Sequence, residues 1–150
     1  MDQFVEKISY ITRAYELCSA LSFKKHALSQ TALGIIAFLA NNPGKDTASD
    51  ISTSLCLSKA TVSLTVDSLL SRGLIKCCVD SEDHRRIHLL LTKKGVAFVP
   101  GIQTSRESLR ALLFKGFSSK EKKEFNSLFE RMAENAHEFI NTKENQNSPK

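Results

Sequence analysis

The segment from Thr47 to Thr92 constrains the fold of this chain more than any other part of the sequence. It contains two short helical patterns separated by a tight turn, followed by two apolar runs that a charged loop joins. Short apolar runs on either side of a polar turn predict an antiparallel hairpin. The segment therefore predicts a mainly α fold with a small β-hairpin.

Local capping signals set the helix boundaries in this segment. The run Thr47-Ala48-Ser49-Asp50 has the spacing of a capping box, in which the threonine oxygen accepts from the third backbone N–H and the acid reaches back. Ser58 has the side chain of an N-cap for a second helix, Lys59 to Arg72, and Gly73 follows where a left-handed C-cap favours glycine. The residues expected to face inward from this second helix are Val62, Val66 and Leu69.

The outer face of the helix after Ser58 is rich in hydroxyl groups, and its first two turns contain no acidic residue. Hydroxyls and a lysine can hydrogen-bond to phosphates and base edges, and an exposed leucine can contact a thymine methyl group. The alternative is an ordinary solvent-facing helix; the elements around it favour a recognition helix. The residues expected to contact DNA from this helix are Ser58, Lys59, Thr61, Ser63, Leu64 and Ser68.

A charged loop, Asp80 to Arg86, joins the strands predicted at Leu74 to Val79 and at Ile87 to Leu91. An arginine held away from the protein can enter the narrow, electronegative minor groove, and a carboxylate two residues earlier can orient it. The alternative is a solvated hairpin turn. With the preceding helices, the loop predicts a winged helix-turn-helix, in which the wing residues expected to contact DNA are Asp83, His84, Arg85 and Arg86.

Helical patterns flank the predicted winged helix, which spans about residues 28–92. The helix predicted at Leu28 to Asn41 is apolar on most sides, as a buried helix is. Pro100-Gly101 predicts a kink or break. Phenylalanines make the outer helices more apolar than a small winged helix can cover, so we expect them to contact a second subunit or to form an intrachain core. These outer helices are expected at about residues 2–21, 92–115 and 118–141.

Length and composition favour one DNA-binding domain over other classes of protein. The 150 residues predict a single domain at residues 1–141 and a disordered polar tail at 142–150, and the net charge of +5 suits a polyanionic partner. No run approaches the length of a membrane span, and the N-terminus contains acid, so we expect a cytoplasmic protein without membrane contact.

Motifs for metal, cofactor or catalytic sites are missing from the sequence. The four cysteines contain no C-x-x-C pair, and His84 and His88 are separated by a loop and a strand, so we expect no metal site and no cofactor. Cys18 has no neighbour in sequence that lowers a thiol pKa, which disfavours a redox sensor. The chain has no nucleophile, metalloprotease or phosphate-loop motif, so we do not expect an enzyme.

Residues 47–95 resemble the DNA-binding core of the MarR family of bacterial transcription regulators. The wing followed by a Leu-Thr-x-x-Gly helix start is the most specific part of the resemblance. The matching segments are Ser58-Lys59-Ala60-Thr61-Val62, Leu69-Leu70-Ser71-Arg72-Gly73-Leu74-Ile75, Asp80-Ser81-Glu82-Asp83-His84-Arg85-Arg86 and Leu91-Thr92-Lys93-Lys94-Gly95.

The resemblance implies a homodimeric regulator, expected to be a repressor, that binds a near-palindromic operator in double-stranded DNA. It gives Asp83 the role of orienting the wing and Arg85 the minor-groove contact, and it places Ser58 to Ser68 in the major groove. The outer helices would form the dimer interface. A small-molecule effector, often an aromatic anion in the family, would bind where these helices meet the DNA-binding lobe.

The sequence departs from the usual family pattern at the DNA-facing residues. Glu82 stands where an arginine is common, Leu64 stands where a polar or basic residue is common, and the recognition helix has no arginine before Arg72. We therefore expect contacts to thymine methyls and phosphates, with shape readout of an A·T-rich site. Two alternatives remain: a winged helix that binds proteins without DNA, and an enzyme with an unrecognised active site.

Overall fold

The computed structural model describes residues 2–23 and 27–147. The mainly α fold with one β-hairpin is confirmed. Two compact units are formed, Met1–Arg110 and Ala111–Lys150, where the sequence predicted one domain. The elements in chain order are α1 (Gln3–Phe23), α2 (Gln30–Asn41), α3 (Ala48–Leu55), α4 (Lys59–Ser71), β1 (Ile75–Val79), β2 (Ile87–Leu91), α5 (Lys93–Val96), α6 (Val99–Leu113) and α7 (Ser119–Asn147).

The core of the first unit forms around α2, as its apolar character predicts. Ile35 and Ile36 have no exposed surface, and α3 contributes Ile51, which is likewise fully buried. The predicted inward stripe of α4 is confirmed, and the hairpin closes the core from the other side. The further buried residues from α4, β1 and β2 and the residue before β1 are Val62, Val66, Leu69, Leu74, Ile75 and Leu89.

The predicted caps are present. The Thr47 hydroxyl oxygen accepts from the Asp50 backbone N–H at 3.2 Å, and the Asp50 carboxylate accepts from the Thr47 N–H at 3.0 Å, which completes the capping box. Ser58 caps α4 by accepting from the Thr61 N–H at 3.1 Å. Gly73 has a φ of +66°, the left-handed conformation that ends the helix.

Two predictions about the outer helices need correction. The break falls at Ala97–Phe98 rather than at Pro100-Gly101, because Pro100 lies in the first turn of α6, where a missing backbone N–H costs little. The last helix continues to Asn147, so residues 142–147 are helical where a disordered tail was predicted. Residues 148–150 lie outside the described part of the chain.

The second unit contains the end of α6, the whole of α7 and a cluster of aromatic rings. Ser118 and Glu121 form a second capping box, with nitrogen-to-oxygen distances of 2.7 and 3.3 Å. Phe114 contacts Phe117 and Phe125 with ring centroids 5.4 and 5.2 Å apart. Along α7, an apolar stripe at helical spacing remains exposed. The residues of this stripe, called the α7 stripe below, are Phe125, Leu128, Phe129, Met132 and Phe139.

Among the helices within residues 2–23 and 27–147, none combines the length and the apolar character that a bilayer crossing requires.

Candidate nucleic-acid interface

The outer face of α4 presents the predicted set of short polar side chains to solvent. Lys59, Ser63 and Ser68 are exposed, and Leu64 exposes 73% of its surface. Thr61 differs from the prediction because it is half-buried, and its hydroxyl lies 2.8 Å from the Ser58 hydroxyl within the cap. The face can therefore offer hydroxyls, one ammonium group and one apolar contact to a base edge or a phosphate.

A groove of about 460 Å³ separates α4 from the hairpin and shows which residues the fold brings together. Lys59 and Ser63 line it from α4, and Cys77 and Ile87 line it from the two strands. The hairpin itself is antiparallel, with Val79 opposite Ile87 at its outer end. The start of the recognition helix and the base of the wing are thus neighbours on one surface.

Two aspartates fold the wing loop between Val79 and Ile87. The Asp80 carboxylate accepts from the backbone N–H groups of Glu82 and Asp83 at 2.8 and 2.9 Å. The Asp80 N–H donates to the carbonyl of Arg86 at 3.0 Å and closes the loop. Side chains from Ser81 to Arg86 are all exposed, so the loop projects its two arginines into solvent.

Asp83 positions Arg85 in a different way from the one expected. Its carboxylate accepts the backbone N–H of Arg85 at 3.1 Å, and its carbonyl accepts the N–H of Arg86 at 2.8 Å. Among the described residues, no ion pair joins the Asp83 carboxylate to the Arg85 guanidinium. The acid therefore sets the chain direction at the arginines and leaves the guanidinium free to contact DNA.

The Leu-Thr-x-x-Gly segment after the hairpin contacts the turn at the C-terminal end of the recognition helix and holds it in place. Thr92 caps α5 and donates from its hydroxyl to the carbonyl of Gly73 at 2.7 Å. Gly95 lies so close to the turn after α4 that an added Cβ would stand 2.1 Å from the carbonyl oxygen of Leu74. This packing explains in physical terms why the segment needs a threonine and a glycine three residues apart.

His88 is a functional candidate that the sequence analysis missed. Its Nδ1 lies 2.6 Å from an Asp46 carboxylate oxygen, and its Nε2 lies 2.9 Å from an Asp80 oxygen. Hydrogen bonds to Asp46 and then Asp80 raise the His88 pKa. The Asp80 pKa is strongly lowered by hydrogen bonds to its carboxylate. The largest effect comes from the Asp83 N–H, followed by the His88 ring and the Glu82 N–H. The sequence pattern that could have indicated His88 is its position as the single polar residue in the apolar strand Ile87-His88-Leu89-Leu90-Leu91.

No other chemistry is evident in the described ranges. Groups of three or more His, Cys, Asp or Glu side chains placed to hold a metal ion do not occur there. Cys56, Cys77 and Cys78 form no disulfide within the part of the chain that the structure describes. The exposed cations on and beside the recognition helix and the wing are Lys59, Arg72, Lys76, Arg85 and Arg86.

Comparison with known proteins agrees with this geometry. Residues 28–87 match the sequence profile of the MarR family. Among curated protein sequences, none matches this chain at a significant level. The profile match covers α2 to the end of the wing loop, stops at the first residue of β2 and does not include the outer helices.

Solved structures extend the likeness to nearly the whole chain. The chain is similar to a Listeria monocytogenes protein described as a MarR family transcriptional regulator and complexed with 26mer DNA, with 21% identity, a TM-score of 0.85, and coverage of 100% of this chain and 99% of that one. A MarR protein from Peptoclostridium difficile gives 21% identity, a TM-score of 0.86 and coverage of 95% and 93%. A crystal structure of MarR gives 25% identity, a TM-score of 0.70 and coverage of 89% and 96%.

Proposed function

Because its winged helix places this chain in the MarR family, we propose that it is a dimeric transcriptional regulator that binds a near-palindromic site in double-stranded DNA. The observation that carries the proposal is the exposed recognition face of α4 beside a wing loop whose backbone two aspartates hold in place. The DNA complex of the similar Listeria monocytogenes protein supports it.

The recognition helix α4 would lie in the major groove. Lys59 stands at its N-terminal end, where a phosphate also meets the free backbone N–H groups of the helix. Ser63 and Ser68 offer hydroxyls that both donate and accept, and the exposed Leu64 offers a surface to a thymine methyl. The first arginine in this region is Arg72, past the end of α4, so we propose an A·T-rich site with little direct guanine readout.

The wing would place Arg85 in the adjacent minor groove. Narrow A·T-rich minor grooves concentrate negative potential, which favours a guanidinium. Arg86 would add a phosphate contact near the start of α3. Asp50 lies in the first turn of α3, and hydrogen bonds from Thr47 lower its pKa most. The positive charge of Arg86 lowers the Asp50 pKa further, which indicates that Arg86 lies near this helix terminus.

We propose homodimerisation through the outer helices, because each leaves apolar surface uncovered. On α7 the stripe residues Leu128 and Phe129 expose 62% and 51% of their surface. On α1, Phe4 and Ile11 expose 55% and 51%. One recognition helix reads only a few base pairs, and two copies about 34 Å apart would double the contacts. We also propose that the protein is a repressor, since a dimer bound across a promoter would exclude RNA polymerase.

A small-molecule effector has a candidate cavity of about 390 Å³ between α1 and α2. Phe23 and Leu33 make its wall apolar, and Gln30 also lines it. The Gln30 Oε1 atom is buried and has no hydrogen-bond partner among the described residues. A ligand N–H or O–H group would reach this acceptor only after the Gln30 side chain turned toward the cavity. Such a ligand would regulate DNA binding if it favoured one spacing of the two recognition helices over another.

The test is DNA binding over a salt series with the variants Arg85→Ala and Lys123→Ala, using the duplex upstream of the protein's own gene. Lys123→Ala is the matched control, because it removes one positive charge on the side of α7 opposite the α7 stripe. We expect log K to fall linearly with log salt for the wild type. For Arg85→Ala we expect weaker binding and a slope shallower by about 1.8, since a dimer loses two arginines.

Two results would contradict the proposal. One is wild-type binding that does not respond to salt. The other is equal binding of wild type and Arg85→Ala, which would show that the wing does not contact the duplex.

A further inference from the structure

We propose that His88, as an imidazolium, is a positioning residue for DNA binding that ties the base of the wing to the segment before α3. This inference rests on the proposed function, since it concerns how the wing is held for DNA. The wing and the recognition helix contact different grooves, so their relative placement must be fixed before binding if ordering costs are to stay small. His88 lies where such a constraint would act.

The His88 ring bridges two segments that are far apart in the sequence. Asp46 precedes the Thr47 cap of α3, and Asp80 begins the wing loop. The side chains of His88, Asp46 and Asp80 expose only 23%, 19% and 26% of their surface. The Asp46 carbonyl also accepts the backbone N–H of Leu89 at 2.8 Å, so the main chain and the side chain hold the same junction.

The geometry requires both ring nitrogens to carry a proton. Each nitrogen faces a carboxylate oxygen, and a carboxylate can only accept. A neutral imidazole has one N–H, so one nitrogen lone pair would then point at a negative oxygen. The protonated ring makes two charge-assisted hydrogen bonds, and the neutral ring can keep one.

The bridge has a defined dependence on pH. Asp46 and Asp80 are the charged groups that act on the His88 pKa, and Cys78 stands opposite His88 in the strand register. Because the folded pKa of His88 is raised, its stabilisation is fully present below the unfolded value of about 6.5 and is lost as pH rises through the folded value. The strongly lowered pKa of Asp80 keeps that carboxylate ionised throughout this range.

The consequence for function is a wing that loosens in alkaline solution. Asp80 also accepts the N–H groups of Glu82 and Asp83, the turn that leads to Arg85. Loss of the Nε2 contact would free this carboxylate and the loop that it folds. The arginine would then have to be ordered during binding, which weakens affinity without removing any DNA contact.

The test compares His88→Gln with His137→Gln, an exposed histidine of α7 outside the proposed DNA contacts. DNA affinity is measured from about pH 6 to about pH 9 on the full chain. For the wild type and His137→Gln we expect affinity to fall by roughly tenfold or more as pH rises, since each subunit loses one charge-assisted hydrogen bond that positions its wing. For His88→Gln we expect weak binding with a nearly flat profile.

A second variant, Asp46→Asn, keeps the shape of the bridge and removes one charge. We expect its affinity profile to move to lower pH, because the His88 pKa loses its largest raising cause. A role confined to packing would leave the profile where it is. This variant also decides the matter if His88→Gln fails to fold.

NMR titration of the His88 ring and amide exchange of Glu82 and Asp83 give readouts without DNA. We expect a His88 pKa above 6.5, and faster wing exchange in His88→Gln than in His137→Gln. A His88 pKa at or below that value, or matching pH profiles for wild type and His88→Gln, would overturn the inference. If the wild type does not bind DNA at all, the proposed function fails, and the two NMR readouts still decide whether the bridge exists.

Discussion

The Asp83 carboxylate accepts a hydrogen bond from the backbone N–H of Arg85 at 3.1 Å, so an acidic side chain fixes the chain direction at the two exposed arginines of the wing loop. This contact opposes the simple electrostatic expectation that any acid beside DNA weakens binding. Two neighbouring acids of the wing, Glu82 and Asp83, separate the structural effect from the electrostatic one, because the Glu82 carboxylate accepts no hydrogen bond from residues 2–23 or 27–147.

The variants Asp83→Ala and Glu82→Ala should change DNA affinity in opposite directions. Each raises the net charge from +5 to +6, since each removes one negative charge. We expect Glu82→Ala to bind DNA more tightly, with a steeper salt dependence. We expect Asp83→Ala to bind more weakly despite its added positive charge, because the turn before Arg85 loses its acceptor. Titration of a labelled duplex at fixed salt measures both, and tighter binding by Asp83→Ala would contradict the structural role.

Gly95→Ala should destabilise the first unit. The added Cβ would lie 2.1 Å from the Leu74 carbonyl oxygen and 3.2 Å from Leu91 Cδ2, so α5 must move away from the turn after α4. Overpacking of this kind costs about 1–3 kcal/mol in the free energy of unfolding, and a backbone clash falls at the upper end. Denaturant unfolding measures the loss.

Gly34→Ala is the matched control for that substitution. Gly34 lies inside α2, and a Cβ there meets no atom within 4 Å. Alanine in a helix interior is more stable than glycine by about 0.5–1 kcal/mol, so we expect the opposite sign. Equal stability of the two variants would show that Gly95 does not approach the Leu74 carbonyl as described.

Phe129→Glu should dissociate the proposed dimer. Phe129 is half exposed and stacks on Phe125 at 5.4 Å, so its replacement leaves the core of the first unit intact. A carboxylate buried at an interface without a partner costs roughly 3–5 kcal/mol. Sedimentation velocity should show monomers at micromolar concentration.

Ser127→Glu adds the same charge on the opposite side of α7 and should remain dimeric. A wild-type protein that sediments as a monomer, or a Phe129→Glu variant that sediments as a dimer, would contradict the proposal that the α7 stripe faces a second subunit.

Local chemistry made much of the fold predictable. The Thr47 capping box and the Ser58 cap depend on residues at most three positions apart, and Gly73 needs only its own left-handed backbone. The hairpin bounds followed from two apolar runs around one charged loop, and β2 matches its prediction from Ile87 to Leu91. In each case the physical cause lies within the segment itself.

The sequence patterns missed three features, for different physical reasons. His88 finds Asp46 forty-two residues away, and no local pattern indicates that pairing. Polar composition predicted disorder after residue 141, yet the helix that begins at Ser119 propagates to Asn147. The role of Asp83 was expected at the Arg85 guanidinium, and the fold placed it at the backbone, since the tight turn brings the N–H closer than the flexible side chain.

Selection from a pool of random duplexes by the wild-type protein tests the central claim most directly. A dimer that places two α4 helices in successive major grooves and two wings in the flanking minor grooves should enrich a near-palindrome with half-site centres about 34 Å apart. The α4 face and Arg85 predict A·T-rich half-sites. Recovery of no preferred sequence, or of a single asymmetric guanine-dominated site, would contradict the account.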